Sequence, residues 1–401
     1  MFCPDLDSLA SSVGFAWFLS HIPTTDTKAI ALITTLRADF VLRAENLYAL
    51  QSVGIKEDFK ELLCPEDLPN SHLSMNFALV DHNSLHPTNA VPGAQVTAIV
   101  DHHEDEGKYL DTASPRIIES AGSCASLVTR VIMSYPTLQI PPELAALLLS
   151  AIMIDTHGLR RGGKAVGVDY EASAWLLPRA NGPSLGNLVS QTVETPQHVP
   201  DHPWIQSLSH ALSAEKSLLS HLNTRDLLRR DYKEYIFNLS STICGNGPRS
   251  IGGGGLATVP LPLSSFFSPS PTSAVVATQE WIKERGLSVL GVLTHYKSKQ
   301  GKPKRVLMWV VDENVCGPRL FSMDSRRARF YRSRGPISNA MVSIVRWEGA
   351  KTKETRSSGG ALTKRNQSVN RLRHRHSAWA SPHGFTGRKM HQPLASRLLR
   401  S

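Results

Sequence analysis

"QVTAIVDHH", residues 95–103, joins a short apolar run to one aspartate and two histidines. The run is rich in aliphatic side chains and has the length of a strand, which predicts a parallel strand buried on both faces. Polar groups that directly follow such a strand are costly to bury unless they bind something. Asp101, His102 and His103 are therefore candidate functional residues at a strand end.

Two other stretches among the first hundred residues are typical of buried strands. They are "KAIALITTL", residues 28–36, and "NFALVDHN", residues 76–83, which contains Asp81. Helical periodicity predicts helices over residues 9–21, 38–53, 123–134 and 143–154. Strands and helices alternating in this way predict an α/β fold with a doubly wound, mostly parallel sheet. Such sheets bind ligands at the carboxyl ends of their strands, where these aspartates fall.

The chain begins "MFCPDLDSLASS", which places Asp5 and Asp7 at the start of an apolar helix. An aspartate there is often a helix cap, and one interpretation is that Asp7 or Ser8 caps the helix and has no other role. Asp155 ends the apolar helix "LAALLLSAIMID", where a charge needs a partner. Carboxylates as close as Asp5 and Asp7 repel one another unless a positive charge lies between them.

Together, the polar residues at element ends predict a site for divalent cations. The set consists of Asp5, Asp7, Asp81, Asp101, His102, His103 and Asp155. Oxygen and imidazole donors without cysteine are typical of Mn²⁺ or Mg²⁺ sites, and the imidazoles favour Mn²⁺ or Co²⁺. The cations would supply the positive charge that the carboxylates need.

The chain beyond this region divides into three predicted parts. The first α/β domain, over 1–190, is followed by a polar linker over 191–210, a smaller α/β domain over 211–316 and a disordered tail over 317–401. The second domain is predicted from helices over 204–221 and 273–285 and strands over 235–243, 255–261, 288–296 and 304–312. "IGGGG", residues 251–255, is interpreted as a flexible loop, because no GK[ST] follows it.

Charge is divided unevenly along the chain. The net charge is +10, from 44 Lys and Arg against 34 Asp and Glu. Residues 317–401 hold 19 of those basic residues and 3 of the acidic ones, a net charge of +16, so residues 1–316 carry −6. Basic low-complexity segments bind nucleic acid by counterion release, so nucleic acid is predicted as a partner only of the tail.

Composition predicts a soluble globular protein. Hydrophobic residues make up 41% and charged residues 19% of the chain, and its apolar runs are shorter than the roughly 18 residues that span a bilayer. No membrane partner is therefore predicted. The five cysteines lack CxxC spacing, which indicates free thiols in a reducing compartment and hence the cytoplasm.

The motifs "DLDS", "DHN", "DHH" and "DTHG", with "SAGSCASLV" between the last two, resemble those of the DHH phosphoesterase superfamily. "LLRRDYKEY" and "GLATVPLPLSS" are similar to the associated C-terminal domain of its exopolyphosphatase and Prune branch, which is related to family II inorganic pyrophosphatases. The resemblance covers residues 1–316. It implies an active site in the cleft between two domains.

The resemblance also implies residue roles. Two Mn²⁺, Mg²⁺ or Co²⁺ ions would be held by Asp5, Asp7, Asp81, His102 and Asp155. His103 would contact the scissile phosphate or its leaving group, and Asp101 would orient the histidines. Substrate would be bound by Lys233, Arg230 and Ser123. A solvated surface lysine is the alternative for Lys233, and a plain helix cap is the alternative for Ser123.

The implied activity is release of orthophosphate from the end of inorganic polyphosphate. An inorganic pyrophosphatase or a Prune-like cyclic-nucleotide phosphodiesterase would use the same metal chemistry. The alternative of another class is a non-catalytic interaction or nucleic-acid-binding protein that acts through its tail. The oligomeric state is not predicted.

The sequence departs from the family pattern at both ends. Family members have a strand ahead of the first aspartates, whereas Met1 lies only four residues before Asp5. They also have further strands where the alternating pattern here stops, near Cys316. We therefore expect the first strand to be missing and the second domain to be incomplete.

Overall fold

The computed structural model describes most of the chain and divides it into two compact units between His221 and Leu222. The described residues are 4–23, 28–68, 76–86, 89–180, 195–238, 251–267, 271–298, 300–312, 328–332, 340–347 and 388–389. The sequence places the division earlier, in the predicted linker over 191–210. Within the described residues, no helix has the length and apolar character needed to cross a membrane.

The first unit contains a parallel sheet of three strands, in the order β1-β2-β3. The strands are β1 (Asn76–Val80), β2 (Gln95–Asp101) and β3 (Arg116–Ile118). Val100 of β2 packs into the larger core cluster, and its neighbour Ile99 packs into a smaller one on the opposite face. Both faces are thus buried, as the aliphatic composition of the strands predicts.

Six helices complete the first unit. They are α1 (Leu6–His21), α2 (Ala44–Ser52), α3 (Cys124–Met133), α4 (Pro142–Thr156), α5 (Gly167–Leu176) and α6 (Pro203–Ser217). Helix α1 packs on α3 and α4, and Gly14 lies against Leu148 at a point where a β-carbon would come within 3.0 Å. The larger core cluster joins these helices to the sheet.

Two predicted elements of the first unit differ in the structure. Residues 28–36 form one bridge, between Leu32 and Leu63, instead of a strand. Apolar content still buries Leu32, but no described strand pairs along it, and ladder pairing is what makes a strand. The predicted helix over 38–53 is divided into a 3₁₀ helix, Arg37–Leu42, and α2, because Arg43 has φ −131°.

The second unit is built on a mixed sheet of seven strands, in the order β10-β4-β5-β6-β7-β9-β8. Its strands are β4 (Tyr232–Asn238), β5 (Ile251–Val259), β6 (Val289–Lys297), β7 (Pro303–Asp312), β8 (Ala328–Arg332), β9 (Ala340–Trp347) and β10 (Arg388–Lys389). Among the described strands of this sheet, only the β5–β6 pair is parallel. Helices α7 (Thr224–Arg230) and α8 (Pro271–Arg285) belong to this unit, which confirms the predicted α/β class for the chain.

The glycine run at 251–255 is part of strand β5, so its interpretation as a loop is wrong. A β-carbon on Gly255 would lie 2.6 Å from the Tyr232 hydroxyl oxygen, and one on Gly253 would lie 3.3 Å from the carbonyl oxygen of Gly286. Glycine therefore serves close packing here, as it does where another backbone approaches a strand.

Strands β8, β9 and β10 lie in the segment predicted to be a disordered tail, so the structure differs from the sequence there. Strand β9 pairs with β7 from Ala340 to Trp347. Its sequence, "AMVSIVRW", is apolar enough for a strand, but the arginine-rich stretches around it dominate the composition on which the prediction rests.

Candidate metal centre

Asp5 and Asp7 occupy the start of α1 in two different ways. Asp5 is the N-cap, and its Oδ1 accepts a hydrogen bond from the Ser8 amide at 3.1 Å. Asp7 lies in the first turn and its side chain is buried in the unit. A helix cap therefore explains Asp5, and Asp7 requires another explanation.

The buried carboxylate of Asp7 binds the N-terminus of α3. Its Oδ1 accepts from the Ser123 hydroxyl at 2.7 Å and the Ala125 amide at 2.8 Å, and its Oδ2 accepts from the Cys124 amide at 2.7 Å. Amides at a helix N-terminus attract anions, and here a carboxylate of the chain itself takes that place. Asp7 is thereby fixed in one orientation.

Asp81 follows β1 in a left-handed backbone conformation, with φ +60°. Its amide donates to the Val100 carbonyl at 3.0 Å, which continues the ladder, and the Ser8 hydroxyl donates to its Oδ2. No described group donates a well-aligned hydrogen bond to its buried Oδ1. Left-handed backbone is unfavourable for most residues, so the orientation of the Asp81 carboxylate costs conformational free energy.

His102 faces that unsatisfied oxygen. Its Nδ1 lies 3.1 Å from the Ala121 carbonyl oxygen, which makes Nδ1 a donor and leaves Nε2 to bind either a proton or a cation. Nε2 lies 3.2 Å from Asp81 Oδ1 and 3.8 Å from Asp7 Oδ2. Three electron-rich atoms that converge in a buried place need a proton or a cation between them.

His103 and Asp101 form a second arrangement next to the first. Oδ1 of the fully buried Asp101 accepts from His103 Nδ1 at 2.8 Å and from the His102 amide at 2.7 Å. Its Oδ2 accepts from the Asn83 amide group at 2.6 Å. The His103 side chain is 59% exposed. Asp101 thus fixes the His103 ring through Nδ1, and Nε2 is directed toward solvent.

Asp155, near the end of α4, is half-buried and lies 3.5 Å from Lys164 Nζ. Burial, then the charges of Asp7 and Asp5, raise the pKa of Asp155 to about 7. The charges of Asp7 and Asp5 thus act on Asp155, although these residues are far apart in sequence.

The other ionisable groups of the cluster are shifted as well. Burial and the Asp81 charge raise the pKa of Asp7 to about 6. Burial lowers the pKa of His102, but Asp81 and Asp7 outweigh it and raise that pKa to about 9. Burial raises the pKa of Asp5, yet the charge of Arg43 and the Ser8 hydrogen bond leave it below its usual value.

These residues fit a divalent cation. Asp81, His102 and His103 offer ligand atoms within 4.8 Å of one another, and the donors are oxygen and imidazole nitrogen. His103 Nδ1 is already bound by Asp101, so we consider Asp7 Oδ2 a better third ligand atom than His103. A cation would take the place of the proton between Asp81 Oδ1 and His102 Nε2, which lie 3.2 Å apart.

The remaining predicted residues lie elsewhere. Ser123 is fully buried, and its hydroxyl donates a hydrogen bond to the Asp7 carboxylate in this structure. Lys233 is exposed on β4, and Arg230 is buried at the end of α7, both in the second unit. The predicted cleft site and the substrate contacts of these residues stay predictions.

Sequence reasoning missed three residues of the site. Ser8 lies in the quoted "DLDS" motif and could have been found as a donor to a neighbouring carboxylate. Lys164 lies in a glycine-rich turn nine residues after Asp155, and a lone lysine there carries little signal. Asp169 of α5 binds the segment before α3, and nothing in the local sequence indicates it.

Comparisons with known proteins find two matching domain families and several relatives. Residues 2–152 match the DHH family, N-terminal domain, and residues 210–331 match the DHHA2 domain. Exopolyphosphatase PRUNE1 of Mus musculus is 28% identical over 57% of this chain and 47% of its own length. A Schizosaccharomyces pombe protein assigned as an exopolyphosphatase is 31% identical over 58% of each chain.

The chain thus spans about half the length of the curated relatives it matches. A solved Methanococcus jannaschii protein, assigned as a family II inorganic pyrophosphatase, aligns with a TM-score of 0.47 at 18% identity. That alignment covers 76% of this chain and 84% of the other. The two matched domains contain every residue of the candidate metal centre named above except Asp155, Lys164 and Asp169. The chain therefore contains a DHH N-terminal domain followed by a DHHA2 domain.

Proposed function

We propose that the chain is a metal-dependent exopolyphosphatase, which hydrolyses the terminal phosphoanhydride bond of inorganic polyphosphate and releases orthophosphate. The observation that carries the proposal is the buried pair of Asp81 Oδ1 and His102 Nε2, which face each other at 3.2 Å. The choice of substrate is supported by the relatives named exopolyphosphatases.

Two Mn²⁺ ions, or Mg²⁺ or Co²⁺ in their place, would be held by Asp5, Asp7, Asp81, His102 and Asp155. When bound, they would supply an activated water and positive charge for the phosphoryl oxygens. Asp7 and Asp81 favour this role because α3 and Ser8 already hold their carboxylates in place. Pre-oriented ligands bind a metal more tightly than ligands that must first be ordered.

His103 is proposed to act on the leaving group. The water oxygen bonds to the terminal phosphorus, the bond from phosphorus to the bridging oxygen breaks, and that oxygen takes a proton from His103 Nε2. The proton that the water loses passes to solvent, from which His103 is protonated again. Asp101 supports this role because it accepts from Nδ1 and so fixes the ring. The exposed side of the imidazole leaves room for a phosphate.

Positive charge for the polyanionic substrate is proposed to come from several cations. Lys164 in the first unit lies beside Asp155, and its side chain is 52% exposed. Lys233 and Arg230 are proposed for the same task from the second unit, and Ser123 is proposed to act on substrate only through Asp7. A reducing compartment such as the cytoplasm suits the buried free thiols of Cys64 and Cys124.

The test is phosphate release with Mn²⁺ from long polyphosphate, tripolyphosphate, pyrophosphate and cyclic AMP, the last with a phosphomonoesterase added to free its phosphate. Preference for long polyphosphate supports the proposal. Preference for pyrophosphate or cyclic AMP would instead indicate one of the two related activities. No turnover on any of them, beside salt-sensitive RNA or DNA binding by residues 317–401 alone, would favour a non-catalytic protein that acts through its tail.

A further inference from the structure

Asp169 is a fully buried carboxylate outside the proposed ligand set. It lies in the first turn of α5, and its Oδ2 accepts from the amides of Gly122 at 2.8 Å and Val166 at 2.7 Å. Its Oδ1 accepts from the Ser126 hydroxyl at 2.6 Å and the Ser123 amide at 3.2 Å. Three of these four donors belong to the start of α3, not to α5.

The same turn of α3 holds Asp7. The amides of Cys124 and Ala125 and the Ser123 hydroxyl donate to Asp7, while the Ser123 amide donates to Asp169. The buried carboxylates of Asp7 and Asp169 thus both accept hydrogen bonds from one helix terminus. Any shift of this terminus moves Asp7 Oδ2, the atom that lies 3.8 Å from His102 Nε2.

Packing around Gly122 adds a second observation. A β-carbon on Gly122 would lie 2.7 Å from Asp169 Oδ2 and 2.6 Å from Thr156 Cγ2. Real atoms do not approach so closely, so only glycine lets Asp169 reach the segment before α3. Thr156 follows Asp155 directly, so this contact also joins the turn to the end of α4.

We propose that Asp169 is a positioning residue for the metal centre, which fixes the N-terminus of α3 and through it the carboxylate of Asp7. The proposal rests on the metal binding in the proposed function, though not on the substrate. Residues that orient ligands in this way typically change metal affinity or activity by about 10–100-fold when they are replaced. A purely structural residue would lower stability and leave the affinity of the folded protein unchanged.

The test variant is Asp169→Asn, in which an amide NH₂ must face at least one of the four donors. Mn²⁺ affinity is measured by calorimetry on folded protein, well below the melting temperature. The control is Ile132→Ala, which opens a cavity at the other end of α3, where Ile132 is 1% exposed. We expect affinity to fall about 10-fold or more in Asp169→Asn and to stay at the wild-type value in Ile132→Ala.

Equal Mn²⁺ affinity in Asp169→Asn and wild type would overturn the proposal. If Asp169→Asn does not fold, Ser126→Ala is compared with Ser150→Ala, which removes a buried hydroxyl that donates within α4 to Ala146. We expect about 3-fold weaker Mn²⁺ binding in Ser126→Ala only, the scale of one hydrogen bond, and equal affinities would overturn the proposal. Calorimetry needs no substrate, so wild-type Mn²⁺ binding without turnover would count against the proposed function and not against Asp169.

Discussion

Asp81 combines features that a turn residue would not need. Its left-handed φ of +60°, its bond from Ser8 and its unsatisfied Oδ1 all direct one carboxylate toward His102. Burial, and then the charge of Asp5 nearby, raise the pKa of Asp81. Its negative charge is therefore costly in the metal-free protein and useful only when a cation is bound.

The first prediction follows for Asp81→Asn. We expect Mn²⁺-dependent phosphate release to fall at least about 10²-fold, because a charged ligand is lost. The melting temperature of the metal-free protein should stay the same or rise, since a buried charge is removed. Calorimetric melting in EDTA and a phosphate assay measure the two effects, and near-normal turnover would contradict the metal assignment.

The two histidines should differ in what their loss does. His103→Gln should lower turnover by roughly 10², the scale of one lost acid–base contact, with little change in Mn²⁺ affinity. His102→Gln should weaken Mn²⁺ binding itself, because Nε2 of His102 faces Asp81 and Asp7. Equal loss of Mn²⁺ affinity in both variants, measured by calorimetry, would show that the roles are wrongly divided.

At the scale of elements, sequence pattern predicts some features and not others. The strand ends at Asp81 and Asp101 are predicted because aliphatic runs followed by polar residues are a local signal. The hydrogen bond from the Gly122 amide to Asp169 joins residues 47 positions apart, so no local sequence pattern predicts it. Residues 28–36 form no strand, because pairing depends on a neighbour that periodicity does not specify.

Helix α6 gives a prediction at this scale, because its N-cap is His202. Nδ1 of His202 accepts from the Trp204 amide at 3.2 Å, and its buried Nε2 has no hydrogen-bond partner among the described residues. Burial lowers the pKa of His202 below 6.5, and its neighbour Asp201 is paired with Arg161. The neutral cap therefore stabilises α6 above pH 6.5, and this stabilisation is lost as the pH falls below 6.5.

We expect His202→Asn to remove that pH dependence, because asparagine is a good N-cap and does not titrate. Unfolding free energy is measured in urea with EDTA at pH 7.5 and pH 5.5. At pH 7.5 the variant should lie within about 1 kcal/mol of wild type, and between the two pH values it should lose less stability than wild type does. Parallel losses in the two proteins would rule out His202 as a titrating cap.

At the scale of the whole molecule, all of the proposed metal ligands belong to the first unit, and they come from separate elements. Asp5 and Asp7 come from the start of α1, Asp81 and His102 from strand ends, and Asp155 from α4. A cation bound by them joins these elements in the folded state only. Binding to the folded state stabilises it by about 2.7 kcal/mol when Mn²⁺ is at 100 times its dissociation constant.

The last prediction concerns where that stabilisation is found. In hydrogen exchange, Mn²⁺ should slow exchange in peptides that cover residues 4–10, 81–86, 101–106 and 122–127, since these carry four of the five proposed ligands and the helix terminus that positions Asp7. Strands β6 and β7 of the second unit serve as the internal reference, because they contribute no proposed ligand. Asp81→Asn should remove this Mn²⁺-dependent slowing in all four segments. If Mn²⁺ slowed exchange only in the second unit, or slowed it equally in Asp81→Asn, Mn²⁺ would bind elsewhere. Protons alone would then offset the repulsion between the carboxylates at the start of α1.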